Sequence, residues 1–360
     1  MTENKIMGAL LGAAAGDALG RSLRKLSLAE IQKHFGPDGI REYYLDPASG
    51  KALLSSDLQL TLFTANGVIY GNYLASTGKD IPRKTAVQTA YMDWYTTQNR
   101  PFESGSSMPR HSMLGGVSWL LDLPELYNER AHNPAGVLAA PAAEVKEENH
   151  TCSACASAVR VLPAALSPLG RSLEETAREG AELAALTLQG TASKICAAYL
   201  SALLRLLAEG KDLEEAMDIA KEICDEIYGI HPQWSNIEAR IRAARGLAPC
   251  DGEDALFLPI LGEGWVPEEA LALALFCALR HREDFTAGIL AAVNRTGDSC
   301  AAAAESGAIL GALLGYDQIP QQWKENLELS ETLEELCRDL SSLDIKDPKT
   351  AVKYQNAHRP

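Results

Sequence analysis

Apolar residues recur at helical spacing along most of this 360-residue chain. Positions i, i+3, i+4 and i+7 share one face of an α-helix, so this period predicts amphipathic helices. The alternation of apolar and polar residues that is typical of strands is almost absent. The segments with the helical pattern are 57–70, 153–166, 173–188, 193–208, 213–227, 267–280 and 285–293. The pattern predicts an all-α fold.

Several helix ends are marked by residues that start or stop helices. Ser27 and Ser172 each precede a Leu and, three positions on, a Glu, which is a helix-start signal. Gly210 predicts a helix end, and Pro267 predicts a first helical turn. The predicted loops are 101–107 and 133–149.

Glycines recur at every fourth position in one apolar segment near each end of the chain. They are Gly8, Gly12, Gly16 and Gly20 in the first segment and Gly307, Gly311 and Gly315 in the second. This spacing clears one face of a helix of side chains, so that another helix can approach closely. Because a helical glycine costs about 1 kcal/mol relative to alanine, we interpret the two stripes as partner surfaces. The alternative is two unrelated core helices rich in alanine and glycine.

The part of the chain between these two segments contains no linker long enough to separate two domains. We therefore predict a single compact domain over residues 1–343. Residues 344–360 are polar and are predicted to form a loosely held C-terminal tail.

Composition excludes several classes of partner. A net charge of -15 argues against nucleic acid, because phosphate binding needs clustered Lys and Arg.

Residues 7–15 resemble a secretion signal, but the pattern continues unbroken through Gly20 and is too short to span a membrane. The eight cysteines are scattered, several within apolar helical patterns, as free thiols of a reducing compartment are. We expect a cytoplasmic protein without a membrane partner.

Cysteine and histidine spacing gives little support for a metal site. Cys152 and Cys155 have the spacing of metal ligands, but no second pair follows them, so a structural role is favoured over zinc or redox chemistry. His111, His132 and His150 lie in loop-like stretches without ligand spacing.

The turn Asn294-Arg-Thr-Gly-Asp-Ser-Cys-Ala301 leads directly into the second glycine-striped segment. Backbone N–H groups at a helix N-terminus favour anions, and Asp298 stands where a carboxylate could hold a metal ion. The turn is therefore the first candidate for a binding site.

Five segments, in order along the chain, carry a resemblance to a known family. They are Gly8-Ala-Leu-Leu-Gly-Ala-Ala-Ala-Gly-Asp-Ala-Leu-Gly20, Ser55-Ser-Asp-Leu-Gln-Leu-Thr-Leu62, Ala158-Val-Arg-Val-Leu-Pro163, Asn294 to Ala301, and Ile319-Pro-Gln-Gln-Trp323. Together they resemble the ADP-ribosylglycohydrolase family, which includes the dinitrogenase-reductase-activating glycohydrolases. The second is similar to the family's Thr-Asp-Asp-Thr-Gln-Met-Thr-Leu, and the fourth to Asn-x-Gly-Gly-Asp-Thr-Asp-Thr.

The resemblance implies an orthogonal bundle of helices and an activity that removes ADP-ribose from modified side chains. It also implies two Mg²⁺ ions held by oxygen ligands, which would orient the ribose hydroxyls while the glycosidic bond breaks. The matching positions give Asp57 and Asp298 as catalytic residues and Ser55, Asp57 and Asp298 as residual metal ligands. They give Asn294, Gly297, Ser299, Cys300 and Arg24 as substrate-binding residues.

Several positions depart from the family pattern. Ser56 stands for an aspartate, Leu58 for a threonine, Cys300 for the second aspartate of the turn, and Ala301 for a threonine ligand. Because charge and octahedral geometry hold Mg²⁺, we expect its binding to be weak or absent.

Arg24 follows the first segment, near where the resemblance implies a glutamate, so a cation replaces an acid in this part of the sequence. Its guanidinium cannot be deprotonated to make room for a metal. It either neutralises Asp57 or Asp298, binds a phosphate, or lies in solvent.

These departures leave several functional interpretations open. The first is a protein that binds ADP-ribose or a related nucleotide sugar in a central pocket, with impaired magnesium-dependent hydrolysis. The second is an active hydrolase with a reduced metal site that acts on ADP-ribosylated proteins, and the third is a catalytically silent scaffold. A weaker hypothesis makes Cys300 a nucleophile at a helix N-terminus.

Some candidate residues also have a purely structural interpretation. Asp57 and Asp298 could each cap a helix, and Arg160 and Trp323 are interpreted as structural.

Overall fold

The computed structural model describes residues 1–79, 81–102, 118–128, 130–131, 134–139, 157–169, 171–188, 190–342 and 348–355. Its α-helices are α1 (Glu3–Arg21), α2 (Leu28–Phe35), α3 (Ser56–Ser76), α4 (Arg83–Asn99), α5 (Pro134–Ala139), α6 (Ser157–Arg160), α7 (Leu162–Ala165), α8 (Leu173–Ala184), α9 (Thr191–Glu209), α10 (Leu213–Tyr228), α11 (Pro232–Leu247), α12 (Asp254–Leu261), α13 (Pro267–Arg280), α14 (Phe285–Val293), α15 (Ser299–Leu314), α16 (Gln321–Asn326), α17 (Ser330–Ser341) and α18 (Pro348–Gln355). Short 3-10 turns lie at Trp119–Asp122, Pro124–Leu126 and Tyr316–Gln318. Within these ranges the only β-type pairing is one bridge between Ala52 and Leu327. The predicted all-α fold is confirmed.

The predicted helix ends agree with the structure at all four marked positions. Ser27 and Ser172 each form a capping box with a glutamate three residues later. Gly210 ends α9 in the left-handed conformation, and Pro267 begins α13. These signals are local, so the sequence alone carries them.

Four predicted boundaries were wrong. Helix α3 continues to Ser76, six residues beyond the predicted 57–70, and α8 ends at Ala184, four residues before the end of the predicted 173–188. The predicted helix 153–166 is divided into α6 and α7 at Val161, with Pro163 in the first turn of α7. Within the predicted loop 133–149, Pro134–Ala139 forms α5, and the remainder lies outside the described residues. The Cys152–Cys155 pair, His111, His132 and His150 also lie outside them.

The two glycine-striped helices, α1 and α15, pack against each other along their length. A Cβ added to Gly12 would lie 2.2 Å from the carbonyl oxygen of Gly307, and one added to Gly8 would lie 2.3 Å from that of Gly311. These distances are too short for a Cβ atom, so only glycine fits at these two positions. The predicted partnership is confirmed, and it places the start of α15 beside the end of α1.

Helix α9 lies at the centre of the remaining helices. It packs against α8, α10 and α13, and its Tyr199 and Leu203 are fully buried. By length and composition α9 could cross a membrane, but 78% of its most apolar window is buried inside the protein. A core helix of a folded domain has the same properties.

Part of the polar C-terminal segment packs against the helical body. Ala351 and Tyr354 of α18 are buried, and the Tyr354 hydroxyl donates a 3.1 Å hydrogen bond to Asp339 of α17. Lys353 pairs with the same carboxylate at 2.8 Å. Residues 351–354 are therefore held by specific contacts.

Helix α15 carries a buried acid, Glu305, in an otherwise apolar and small-residue sequence. Glu305 is 0% exposed, and neither carboxyl oxygen has a hydrogen-bond partner among the described residues. Burial raises the pKa of Glu305 well above its usual range. The folded chain therefore retains this proton at pH values at which the unfolded chain has released it.

Replacing Glu305 with glutamine is expected to remove a pH-dependent loss of stability. In the unfolded chain Glu305 releases its proton near pH 4.3, so below about that pH its ionisation does not lower the free energy of unfolding. Above that pH the free energy of unfolding of the wild type falls by about 1.4 kcal/mol per pH unit, until the pH reaches the raised pKa of Glu305 in the folded chain. Glu305→Gln should match the wild type near pH 4 and exceed it by about 2 kcal/mol at pH 6. Urea denaturation at both pH values measures this difference. The same gain at both values would show that ionisation is not its cause.

Candidate functional site

Asp17, on α1, is the centre of the candidate site. It is 1% exposed, and its Oδ1 accepts hydrogen bonds from the Ser55 hydroxyl at 2.6 Å and the Cys300 thiol at 2.9 Å. Its Oδ2 accepts the Ser55 backbone N–H at 2.7 Å. Burial raises the pKa of Asp17 to about 6, although these hydrogen bonds favour its ionised form. Helices α1, α3 and α15 therefore meet at one carboxylate.

Ser55 caps the N-terminus of α3. While its hydroxyl donates to Asp17, the oxygen accepts the N–H groups of Asp57 at 3.2 Å and Leu58 at 3.4 Å. The interpretation of Asp57 as the cap is therefore wrong, because Ser55 has that role. Asp57 lies in the first turn of α3 and is 8% exposed.

The residues before α3 are fixed from outside the helix. The Leu54 N–H donates to Glu328 at 2.9 Å, and Arg130 donates to the Leu54 carbonyl at 2.7 Å. Arg130 also pairs with Glu328 at 2.8 Å. This network sets where α3 begins, and so places Ser55 and Asp57 beside Asp17.

Arg160, the last residue of α6, binds Asp57. Its Nε donates to Asp57 Oδ1 at 3.1 Å and its Nη2 donates to the same oxygen at 2.5 Å. Arg160 is 3% exposed, so this is a buried ion pair. The contact makes Arg160 part of the candidate site, in addition to the structural role predicted for it.

Asp298 caps α15 and binds a second arginine. Its Oδ1 accepts the Cys300 N–H at 3.1 Å, and its Oδ2 lies 3.1 Å from Nη2 of Arg24. The Asp298 side chain is 1% exposed and that of Arg24 is 36% exposed. After Arg24, Lys25 has a φ of 75°, a left-handed conformation that is uncommon for a residue with a Cβ. Of the alternatives for Arg24, the structure shows the one that neutralises Asp298.

The turn before α15 is held in place by hydrogen bonds to the carbonyl oxygen of Glu263. This oxygen accepts the Asp298 N–H at 2.8 Å and Nη1 of Arg295 at 2.9 Å. Gly297 has a φ of 110°, and a Cβ on it would lie 2.1 Å from the same oxygen. Glycine is therefore required at 297 for both the conformation and the close approach.

Asn294 binds the long connection between α2 and α3. Its Oδ1 accepts the Ile40 N–H at 2.8 Å, and its Nδ2 donates to the carbonyls of Ile40 at 2.9 Å and Leu290 at 3.0 Å. These contacts use its amide group within the protein and give Asn294 a positioning role. Ser299 is 0% exposed, and its hydroxyl has no hydrogen-bond partner among the described residues.

The surroundings of Cys300 oppose its use as a nucleophile. Burial, followed by the nearby carboxylates of Asp17 and Asp298, raises the pKa of the Cys300 thiol well above its usual range. The thiol donates its proton toward Asp17. A nucleophilic cysteine needs the opposite environment, one that favours the thiolate.

At two positions where the resemblance implies oxygen ligands for a metal ion, the side chains offer no oxygen. Ala301 offers none and packs against Ala270. Cys300 offers a sulfur, which suits softer metals than Mg²⁺. Over the part of the chain that the structure describes, no group of three or more His, Cys, Asp or Glu side chains is arranged to hold a metal ion.

Asp17 is the site residue that was not singled out from the sequence. The signal was present, because Asp17 is the only charged residue between Lys5 and Arg21 and lies within the quoted Gly-Asp-x-x-Gly motif. The Arg160–Asp57 pair had no comparable signal, since 102 residues separate the two positions and only folding brings them together.

Comparisons with known proteins give the family of the chain and its fold. A model of the ADP-ribosylglycohydrolase family matches residues 1–349. The chain belongs to the ADP-ribosylglycohydrolase family. An uncharacterised protein of Archaeoglobus fulgidus is 26% identical over 348 residues, which cover 96% of this chain and 98% of that protein.

A solved structure shares the fold of this family member. It is described as an ADP-ribosylglycohydrolase-related protein complex, and it aligns with a TM-score of 0.57 at 20% identity. The alignment covers 94% of this chain and 97% of that one. At this identity the likeness shows the fold alone, so the chemistry of this member has to be argued from its own residues.

Proposed function

We propose that this ADP-ribosylglycohydrolase family member binds ADP-ribose or a related nucleotide sugar, and that its magnesium-dependent hydrolysis is impaired. One observation carries the proposal. Asp57 and Asp298, the two carboxylates expected to hold metal ions, each bind a guanidinium of the same chain. The ligand class comes from family membership, and the impairment comes from these two ion pairs.

The residues of the site do not fit a pair of Mg²⁺ ions. Magnesium requires near-octahedral oxygen coordination, whereas here a thiol and a methyl group stand at two ligand positions of the turn. Arg24 and Arg160 stay charged at any physiological pH, so a metal ion at Asp57 or Asp298 would have to displace a cation.

The same features suit an anionic ligand. Helices α3 and α15 both begin at the site, and helix N-termini favour negative charge. Arg24 is more than one-third exposed, unlike its buried partner Asp298. Its guanidinium can therefore donate a charge-assisted hydrogen bond to a phosphate oxygen of a nucleoside diphosphate. An ADP-ribosylated protein is the natural source of such a group.

Calorimetry with ADP-ribose and Mg²⁺ tests this proposal. The wild type should bind ADP-ribose in the presence of EDTA, and excess Mg²⁺ should change the affinity by less than about twofold. Arg24→Gln should lower the affinity by about tenfold, because it removes a charge-assisted hydrogen bond to phosphate. Arg21→Gln, at the exposed end of α1, is the matched control and should leave the affinity unchanged.

Two outcomes would contradict the proposal. One is saturable binding of two Mg²⁺ ions per chain. The other is magnesium-dependent release of ADP-ribose from a modified protein, which would favour the interpretation as an active hydrolase.

A further inference from the structure

Helix α12 presents an apolar face to solvent. Leu256 and Ile260, four residues apart, are each 65% exposed, and Ala255 and Pro259 beside them are also exposed. Positions with this spacing lie on one side of an α-helix, so the four residues form a continuous surface, the α12 surface. Single exposed apolar residues are ordinary, whereas a contiguous group of them is typical of a site that binds a partner.

The opposite side of α12 is packed into the core. Leu258 and Leu261 are both 2% exposed, and Phe257 packs on Phe276 with ring centroids 6.1 Å apart. After Asp254 the helix contains only apolar residues. A helix that is apolar on all sides is ordinarily buried on all sides. The exposed side of α12 therefore has the composition of a buried surface.

Acidic side chains flank the α12 surface. Asp251 and Glu253 precede the helix and Glu263 follows it, and all three residues are exposed. None of the three pairs with a cation among the described residues. Their negative charge is therefore available to a partner that lies along α12.

The cations that contact α12 do not offset this charge. Arg280 pairs with Asp254 at 2.5 Å. Arg240 donates to the Leu261 carbonyl at 3.1 Å and pairs with Glu269 at 3.6 Å. Each of these guanidinium groups is thus balanced by an acid of its own, and the border of the α12 surface is acidic.

This charge decides which occupant fits the surface. A second copy of the chain, related by a two-fold axis, would bring the same acidic border against itself, and like charges oppose such an interface. An anionic lipid surface would be repelled for the same reason. A partner with an apolar face bordered by Lys and Arg is complementary in both respects.

The α12 surface ends close to the candidate site. Ile260 precedes Glu263 by three residues, so their Cα atoms are at most about 11 Å apart. The Glu263 carbonyl accepts the Asp298 N–H at 2.8 Å, and its carboxylate accepts the indole N–H of the partly exposed Trp265 at 2.9 Å. A helix docked on α12 therefore lies beside the turn that carries Asp298.

We propose that the α12 surface docks a basic amphipathic helix of another protein. The apolar face of that helix packs on Leu256 and Ile260, and its Lys and Arg side chains lie toward Asp251, Glu253 and Glu263. This inference goes beyond the proposed function and does not depend on the binding of ADP-ribose.

Fluorescence anisotropy with a labelled peptide tests the docking. The probe is a helix-forming peptide of leucine and lysine, about 18 residues or five turns long, with all its leucines on one face. The wild type should bind this peptide, and the affinity should fall as salt is added, because the charges are exposed. Leu256→Gln combined with Ile260→Gln should lower the affinity by about tenfold or more.

Two further variants separate the apolar and the charged contributions. Ile230→Gln, which changes a fully solvated apolar residue outside the α12 surface, is the matched control and should leave the affinity unchanged. Asp251→Asn combined with Glu253→Gln should lower the affinity by about threefold, as expected for two exposed charge pairs. All the changed side chains are exposed, so every variant should keep the melting temperature of the wild type.

Four outcomes would overturn the inference. The first is no binding of the peptide to the wild type. The second is equal binding of a peptide of the same composition with its leucines spread around the helix, since charge alone would then suffice. The third is equal binding of a peptide with glutamate in place of lysine. The fourth is dimerisation of the wild type that Leu256→Gln with Ile260→Gln abolishes, which would make a second copy the occupant. Because none of these measurements involves ADP-ribose, the proposed function is tested separately.

Discussion

Arg160→Met is expected to lower the free energy of unfolding by about 3–5 kcal/mol, the largest effect of any single change proposed for this site. The substitution keeps much of the length of the side chain but leaves the carboxylate of Asp57, which is 8% exposed, without the guanidinium that binds it. An unpaired charge at such a position retains its desolvation cost and loses the attraction that offsets it.

Urea denaturation of three variants measures this effect. Arg178→Met is the matched control, because Arg178 forms a half-exposed pair with Glu174 on α8 and should cost less than about 1 kcal/mol. Adding Asp57→Leu to Arg160→Met should recover most of the loss, since it removes the unpaired charge. A cost for Arg160→Met no greater than that for Arg178→Met would show that the buried pair does not matter to folding.

Gly307→Ala is expected to cost about 3 kcal/mol or more, at the upper end for overpacked positions. Its Cβ would lie 2.0 Å from the carbonyl oxygen of Gly12 and 2.5 Å from the carbonyl carbon. Both atoms belong to backbone, so no side chain can rotate away, and α1 and α15 would have to separate. Separation would also move Cys300 away from Asp17 and weaken the candidate site.

A helical glycine with open space provides the control for that substitution. Gly246, in the last turn of α11, has no atom within 4 Å of an added Cβ. Gly246→Ala should therefore raise the stability by about 0.5–1 kcal/mol through the better helix propensity of alanine. Thermal denaturation of the two variants under one condition gives the comparison. Similar small shifts in both would mean that the helices can separate at little cost.

The two ion pairs bear directly on the function that we propose for this member. In a site built for Mg²⁺, unpaired carboxylates supply negative charge to the metal. In this member the charge of each carboxylate is already balanced, by Arg24 at Asp298 and by Arg160 at Asp57. The proposed binding function needs no metal at this site, whereas magnesium-dependent hydrolysis would need one.

The sequence by itself determined the fold class, several helix ends and the family. Each of these signals depends on residues that are close together in the chain: the helical period, the capping residues and the five motifs. They can therefore be interpreted from the sequence without a structure. The glycine stripes on α1 and α15 were also predicted to face each other, because two surfaces without side chains suit each other.

Only the tertiary structure decided which charges meet. Arg160 and Asp57 come from different helices, and Asp17 receives hydrogen bonds from residues 38 and 283 positions away. Electrostatic pairing depends on distance and burial, and neither is encoded in local spacing. The five motifs together indicated the family, but the arginines beside Asp298 and Asp57 carry the function that we propose for this member.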